Sequence, residues 1–184
     1  MKTLALSAMM CLMAMTSTAQ VITSEIVGNA YQSVATASGS KFAYNVECDD
    51  VDRITTMTVF DKRVRHGGDV ELKPSCRYEY EYAADGMLQC RTMYAWHDEA
   101  WQCVGQLRYS LVGDLYTVEY SRWNQKTASF DAASEMMAYT LLPDQSTREV
   151  CFYQRQLNGE SYELTWQVSV SGQPTFDPYL LARM

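Results

Sequence analysis

The sequence predicts an all-β protein, an antiparallel meander of hairpin repeats that are each about 30 residues long. Tyr80, Tyr109 and Tyr139 are each followed five positions later by an aspartate, and successive tyrosines are 29 and 30 residues apart. Tyr44, with Asp49, forms a more distant fourth copy. A fixed period of this size is typical of repeat architectures. Regular alternation of apolar and polar residues over residues 76–111, interrupted by turns, identifies the repeating element as a β-strand.

We expect eight or nine strands of about ten residues, arranged as a strongly twisted antiparallel sheet. Consecutive strands are expected to lie side by side. An open meander with one apolar face must curl or find a cover, so a closed barrel is the alternative architecture.

Residues 1–19 have the layout of a secretory signal peptide. A basic start, Met1-Lys2, precedes an apolar stretch, and small residues lead up to Ala19. The apolar stretch is too short for a membrane-spanning helix, and no second apolar run approaches that length. We therefore expect cleavage before Gln20 or Val21, export to the periplasm, the cell surface or the medium, and no transmembrane segment.

Composition narrows the classes of partner. The net charge is −7 and the isoelectric point is about 4.8, which argues against nucleic acid because nucleic-acid binding usually needs a basic face. Aromatic residues make up 12% of the chain, too many for a disordered protein. The five cysteines beyond residue 19 are odd in number and contain no C-x-x-C pair. Neither a disulfide framework nor a zinc motif is therefore predicted.

The rest of the chain divides into three parts. Residues 20–41 form a leader arm whose pattern suits a short helix or an extended segment equally. Residues 42–172 form the hairpin-repeat domain, and residues 173–184 form a C-terminal tail. In the first hairpin, strands are expected at residues 42–46 and 54–60, followed by an exposed basic loop at residues 62–69.

The two central hairpins predict their own register. The chain folds back about Asp85 and again about Asp98-Glu99, which places every predicted partner on one apolar face. The predicted cross-strand partners are Tyr82–Leu88, Tyr80–Cys90, Tyr78–Thr92, Trp96–Trp101, Tyr94–Cys103 and Leu88–Tyr109. Later strands are expected at residues 115–123, 130–142, 147–156 and 162–170.

No residue pattern points to catalysis or to a bound cofactor. Residues 47–52 hold the densest acidic group, which could bind calcium weakly but lacks the glycine and closing glutamate of a calcium loop. His66 and His97 lie in predicted loops, and no recognised catalytic motif occurs. We therefore predict no enzymatic activity, no cofactor and no metal. One aspartate recurs at each turn, where its side chain is expected to bond the nearby backbone; the four are Asp49, Asp85, Asp114 and Asp144.

Aromatic residues at two hairpin tips are the one feature that suggests binding. Trp96 and Trp101 flank one tip, and Trp123 and Phe130 flank another. Exposed aromatic side chains on a sheet can hold sugar rings or a partner's surface. The competing interpretation is structural, because cross-strand aromatic pairs stabilise a hairpin by about 0.2–1 kcal/mol each. These four residues form the candidate ligand-binding site.

The chain resembles short secreted hairpin-repeat proteins of gut Gram-negative bacteria, a family of unknown function. That family carries a Y-x-Y/F-x-x-D turn and a W-N-x-x-x-x-W/Y hairpin, and the corresponding residues here are 80–85, 96–101, 109–114 and 123–130. The first unit departs from the pattern, with a basic loop where the Trp pair should stand. The chain is also similar, more loosely, to the tyrosine-rich hairpin repeats of large bacterial surface proteins. The resemblance implies a secreted β-repeat protein and supplies no catalytic residue.

The resulting hypothesis is a non-enzymatic binding module, secreted or associated with the envelope, that binds an unknown protein or glycan through its aromatic hairpin tips. The alternative is a structural or self-assembling envelope protein whose exposed strand edges pair between copies, which would make it a homo-oligomer. A hydrolase or metal site is a third hypothesis, and it requires a cleft that joins carboxylates or His66 to another polar cluster.

Overall fold

The computed structural model describes residues 21–169 except residues 38, 66–67, 145–146, 157–158 and 160. In this part of the chain one helix, α1 (Ser24–Ala35), precedes ten strands. The predicted signal peptide (residues 1–19) and tail (residues 173–184) lie outside the described residues. The strands are β1 (Phe42–Cys48), β2 (Ile54–Val64), β3 (Val70–Tyr82), β4 (Leu88–His97), β5 (Ala100–Val112), β6 (Leu115–Asn124), β7 (Ser129–Phe130), β8 (Glu135–Leu141), β9 (Thr147–Arg155) and β10 (Tyr162–Ser169).

The ten strands form one antiparallel sheet in chain order. The short β7 pairs with β6 away from the main path, and β8 takes the place beside β6 in the ladder. Strands β1 and β10 stand at the two ends of the order, so the sheet is open. The predicted all-β antiparallel meander is confirmed, and the closed alternative is wrong. Two strands, β7 and β8, replace the single strand expected at residues 130–142.

Antiparallel pairing places every second turn at the same end of the sheet. The turns after β1, β3, β5 and β8 each carry one repeat aspartate, so we call this end the aspartate end. The turns after β2, β4, β6 and β9 lie at the opposite end, which we call the tryptophan end. At the aspartate end, Asp85 Oδ1 accepts a hydrogen bond from the Met87 N–H at 3.0 Å. Asp49 Oδ1 accepts bonds from the Val51 and Arg53 N–H groups, at 3.2 and 2.9 Å, which is the predicted turn role.

The tyrosine of each repeat is buried on one face of the sheet, which we call the core face; the other is the outer face. Tyr80, Tyr109 and Tyr139 are 3%, 6% and 8% exposed. Between the last two lies Tyr116, whose ring centroid is 6.4 Å from that of Tyr109 and 5.9 Å from that of Tyr139. Two tyrosines of the sequence period, Tyr109 and Tyr139, therefore join Tyr116 in a row of packed rings across β5, β6 and β8.

Helix α1 covers the core face, so the leader arm is helical over residues 24–35. Thr23, in an extended conformation, caps the helix with its Oγ1 accepting from the Ile26 N–H at 3.4 Å. Val27 is fully buried within the core cluster, and the N-terminal segment, residues 21–23, joins the same cluster through Ile22. The Ile22 N–H donates to Tyr116 Oη at 3.2 Å, and the Leu88 N–H donates to the Ile22 carbonyl at 2.8 Å. These bonds fix the helix to the sheet.

Two β-bulges shift the register of the central hairpins. In the first, Tyr82 lies opposite Leu88 as predicted, but Gln89 is passed over and Glu81 lies opposite Cys90. In the second, Val104 is passed over between the pairs Tyr94–Cys103 and Met93–Gly105. The predicted pairs Trp96–Trp101 and Tyr94–Cys103 are confirmed, whereas Tyr80–Cys90, Tyr78–Thr92 and Leu88–Tyr109 are wrong.

The bulges move side chains to the opposite face from the one predicted. Each extra residue reverses the alternation beyond it. Arg91 and Met93 therefore lie on the core face, opposite Tyr80 and Tyr78, and are buried. Trp96 and Trp101 lie on the outer face and not on the face of the repeat tyrosines.

Candidate functional site

Trp96 and Trp101 lie opposite each other in β4 and β5 and form an aromatic pair. Their ring centroids are 4.9 Å apart and the planes are inclined by 69°, which is edge-to-face geometry. Trp123 and Phe130 form a second pair, with centroids 4.9 Å apart and planes inclined by 73°. All four rings are half-buried. The four candidate residues thus meet as two cross-strand pairs.

Both pairs lie on the outer face at the tryptophan end. Strands β4 and β6 run toward this end, and each carries its tryptophan one residue before the strand stops. Gln106 of the outer face lies opposite Ser121, and the next outward position along β6 is Trp123. The two pairs therefore occupy neighbouring hairpins on one surface.

The tip between Trp96 and Trp101 holds two residues in the left-handed region. Asp98 has φ 49° and Glu99 has φ 60°. Two such residues in a two-residue hairpin loop correspond to a type I′ turn, whose twist matches that of the flanking strands. Glycine, asparagine and aspartate tolerate this conformation, whereas for a residue such as Glu99 it costs about 1–2 kcal/mol. Local strain of this kind concentrates at functional positions.

Tyr94 anchors the outer face beside Trp96. Its Oη donates to Glu79 Oε2 at 2.8 Å, while Arg77 Nη2 lies 2.7 Å from Glu79 Oε1. The Arg77 guanidinium also lies over the Tyr94 ring, 6.0 Å from its centroid. Burial, helped by the hydrogen bond to Glu79, raises the pKa of Tyr94 to about 12. Tyr94 is therefore a neutral, fixed donor at physiological pH.

A short polar chain continues along the outer face toward the aspartate end. Gln106 Nε2 donates to Thr92 Oγ1 at 3.3 Å, and Arg108 Nε donates to Gln106 Oε1 at 2.9 Å. Gln106 is on the polar side of the sequence alternation, where a solvated side chain is expected, but its side chain is buried in the middle of the sheet. Burial raises the pKa values of the nearby Cys90 and Cys103 thiols. These cysteines are free and neutral at physiological pH, which makes them poor nucleophiles.

A buried cation on the core face was missed by the sequence reasoning. Arg91 is 1% exposed, and its guanidinium lies over the Tyr78 ring, 5.2 Å from the centroid. Burial raises the pKa of Tyr80 to about 12, although the positive charge of Arg91 acts in the opposite direction. The alternation of the sequence assigns Arg91 to the polar face of the strand. The bulge at Gln89 places it on the core face instead.

The other ionisable candidates are turn residues at the two ends of the sheet. Hydrogen bonds from the Arg53 backbone and side chain hold the pKa of Asp49 below its usual range, and the two side chains form an ion pair of 2.8 Å. His97 Nδ1 lies 2.8 Å from Asp98 Oδ2, with both side chains exposed. Among the residues that the structure describes, no three His, Cys, Asp or Glu side chains are grouped as metal ligands. His66 lies outside the described residues.

No helix in the described part of the chain combines the length and the apolar character needed to cross a membrane.

Comparison with solved structures places the fold among proteins from gut bacteria. A protein of unknown function from Bacteroides fragilis is similar with a TM-score of 0.61 and 21% identity, over 72% of this chain and 94% of that one. At this identity the likeness shows the fold alone. DUF3836 family proteins from Bacteroides vulgatus and Parabacteroides distasonis share 22% and 20% identity over 50% and 55% of this chain and 89% and 92% of theirs, with TM-scores of 0.43 and 0.45.

Sequence comparison identifies the family directly. No curated protein matches the chain. A family of unknown function, DUF3836, matches residues 1–141, which include the first hairpins and both aromatic pairs. The resemblance drawn from the tyrosine and tryptophan motifs, to an uncharacterised family of gut bacteria, is confirmed. The chain belongs to the DUF3836 family of unknown function.

Proposed function

We propose that this protein is an exported, non-enzymatic binding module of the cell envelope that holds a glycan on the two aromatic pairs at the tryptophan end. The observation that carries the proposal is the position of Trp96, Trp101, Trp123 and Phe130 on one half-exposed surface outside the core. A protein surface is the second class of ligand that such rings suit. The signal-peptide layout of residues 1–19 supports export.

Three features of the Trp96–Trp101 hairpin favour a binding role over a purely structural one. The tip holds Glu99 with a positive φ, which stores backbone strain. The bulge at Val104 interrupts the β4–β5 ladder close to the pair, and bulges are frequent next to functional sites because they redirect side chains. The pair is half-exposed although tryptophan gains most from full burial. Each feature lowers stability, and together they present indole rings to solvent.

The surroundings of the pairs suit a sugar ligand. Aromatic faces contact the apolar face of a sugar ring, and polar side chains at the rim bond its hydroxyl groups. His97 and Asp98 are exposed at the first tip. At the second tip, Asn124 Nδ2 donates to Asp131 Oδ1 at 2.9 Å, and both residues border the Trp123–Phe130 pair. Each hairpin tip therefore carries polar side chains that are chain neighbours of its aromatic residues.

The ionisable groups near the pairs support binding more than catalysis. His97 pairs with Asp98, and both side chains are exposed to solvent. Arg77 pairs with Glu79, which also accepts the hydrogen bond from Tyr94. General acid–base catalysis relies on groups whose pKa lies near the working pH, and burial raises the pKa of Tyr94 and Cys103 away from it. We therefore propose that these groups fix the positions of the side chains around the aromatic pairs.

A glycan array, followed by titration of the tryptophan fluorescence, tests the proposal. We expect a specific glycan that changes the emission of the wild-type protein, and at least tenfold weaker binding by Trp123→Ala, since losing a central aromatic contact costs about 1.4 kcal/mol or more. Trp166→Phe is the matched control, because Trp166 stacks on Phe152 against the core, with centroids 6.1 Å apart. It should bind like the wild type.

A folded protein that binds no glycan would contradict the sugar ligand. Capture of a partner from envelope extract, lost in Trp123→Ala and kept in Trp166→Phe, would then identify a protein ligand on the same surface. Equal binding by Trp123→Ala and the wild type would remove the aromatic pairs as the site.

A further inference from the structure

The first hairpin extends beyond the rest of the sheet as a two-stranded arm. Strand β1 reaches only as far as Asp61 of β2, and β4 reaches only as far as Cys76 of β3. Past these points, β2 and β3 pair with each other, with Arg63 opposite Glu71 and Val64 opposite Val70. The sequence predicted an irregular loop at residues 62–69, but β2 continues to Val64 and β3 starts at Val70. We call residues 62–65 and 70–73 the basic arm.

One face of the basic arm carries three exposed apolar side chains next to Lys62. Val64 lies opposite Val70, and Leu72 lies opposite Lys62, so the three apolar side chains share a face. They are 74%, 57% and 50% exposed, respectively for Val64, Val70 and Leu72. An exposed, regular, apolar β-ribbon is a typical interaction surface.

The other face of the basic arm is charged. Arg65 Nη2 lies 2.9 Å from Glu71 Oε2, which ties the two strands together at the end of the arm. The arm carries the cations Lys62, Arg63, Arg65 and Lys73 in a protein whose net charge is −7. A basic, apolar projection on an acidic body favours contact with an acidic, apolar surface.

Such a surface exists at the opposite end of the same molecule. A cavity of about 320 Å³ opens at the aspartate end, between the turns after β5 and β8. It is lined by Val21, Leu111, Leu141, Leu142, Pro143 and Asp114. Leu111 and Leu142 are exposed, and the neighbouring Val112 is 72% exposed, so apolar surface continues past the rim.

The aspartate end is also strongly acidic. Its described turns contain six aspartates and a single basic residue, Arg53. The aspartates are Asp49, Asp50, Asp52, Asp85, Asp114 and Asp144. The cavity therefore offers apolar walls for Val64, Val70 and Leu72 and the carboxylate of Asp114 for the cations of the arm, at an end of the sheet that is acidic as a whole.

We infer that the basic arm of one molecule docks in the aspartate-end cavity of a second copy of this chain. The arm cannot reach the cavity of its own molecule, because the two lie at opposite ends of strands such as β3, whose 13 residues span about 40 Å. The contact joins two different surfaces and is heterologous, so association continues from copy to copy unless the chain of molecules closes into a ring. This contact is independent of strand pairing at the β1 and β10 edges.

Two single variants test the inference in sedimentation-velocity experiments. Val64→Asp puts a carboxylate on the arm, and Leu142→Asp puts one in the cavity wall. We expect the wild-type protein to associate with rising concentration, less strongly at high salt, and each variant alone to be monomeric. An equimolar mixture of the two should form a dimer that grows no further, because Leu142→Asp keeps its arm and Val64→Asp keeps its cavity.

Leu164→Asp is the matched control, since Leu164 is 46% exposed on the β10 edge, where it lies opposite Tyr153, away from the arm and the cavity. It should associate like the wild type, as should Trp123→Ala, which separates this contact from ligand binding. Circular dichroism verifies that each variant is folded. A wild-type protein that stays monomeric at all concentrations in low salt would overturn the inference. So would persistent association of either variant alone, or a mixture that stays monomeric.

Discussion

The two faces of this sheet use aromatic rings in opposite ways. On the core face, Tyr109, Tyr116 and Tyr139 are packed in a row beneath helix α1 and the N-terminal segment. On the outer face, Trp96–Trp101 and Trp123–Phe130 pair edge to face and keep part of each ring in solvent. Both sets come from the same alternating strands. The aromatic composition of a strand therefore does not tell a core from a binding surface.

The difference arises from covering and from register. Helix α1 adds a second layer over the core face only, so rings there are removed from water. The bulges at Gln89 in β4 and at Val104 in β5 reverse the alternation of the two strands, which places Trp96 and Trp101 on the uncovered face. In a repeat protein, the register of the strand must therefore be known before a role is assigned to an aromatic residue in it.

The largest expected contrast is between one ring of each set. Tyr109→Ala should lower the free energy of unfolding by about 3–5 kcal/mol, because it empties a fully packed position. Trp101→Ala should lower it by only about 1 kcal/mol, since the lost contact is a half-exposed cross-strand pair. Urea unfolding measures both values. Equal losses of unfolding free energy would mean that the tryptophan pair is part of the core, and the two faces would then not use their aromatic rings differently.

The bulge itself can be tested at Gly105, which follows Val104. A Cβ atom there would lie 2.7 Å from Tyr120 Cε2 and 2.8 Å from the Ser121 carbonyl oxygen, so Gly105→Ala should cost about 1–3 kcal/mol. Gly28→Ala in helix α1 is the control, because nothing lies within 4 Å of the added atom, and it should gain up to about 1 kcal/mol. Thermal unfolding distinguishes the two signs. A neutral Gly105→Ala would show that the bulge adapts without strain.

A smaller contrast lies within the tyrosine set. Tyr116→Phe should cost about 1–2 kcal/mol, because it leaves the buried Ile22 N–H without its acceptor at 3.2 Å. Tyr80→Phe should be neutral or stabilising, since the buried Tyr80 Oη has no hydrogen-bond partner among the described residues. Chemical unfolding of the two variants gives the comparison. The reverse order would mean that the N-terminal segment is held by packing rather than by this bond.

Local sequence signals predicted the turns and the identity of the cross-strand pairs closest to them. Trp96–Trp101 and Tyr82–Leu88 were predicted because each lies next to a recognisable hairpin turn. The burial of Tyr80, Tyr109 and Tyr139 followed from their shared position in the repeat.

Features set by tertiary contacts were not predictable in the same way. A bulge needs no special residue, and neither Gln89 nor Val104 carries a signal that separates it from an ordinary strand residue. The buried position of Arg91 depends entirely on the first bulge. Helix α1 spans 12 residues with few buried positions, and it is stabilised by the sheet that it covers more than by its own periodicity. The aspartate-end cavity brings together turns whose side chains meet only in the folded sheet.

The N-terminal segment has a consequence for the order of folding. Every strand of the ladder pairs with a strand that is close to it in the chain, so most contacts close short loops and can form early. The bond from Ile22 to Tyr116 spans 94 residues and can form only after β6 has found its place. We therefore expect helix α1 to dock after β6 is in place, and weakening its contacts should accelerate unfolding while leaving the rate of folding nearly unchanged. The helix that covers the core therefore mainly affects the rate of unfolding, and the sheet beneath it determines the rate of folding.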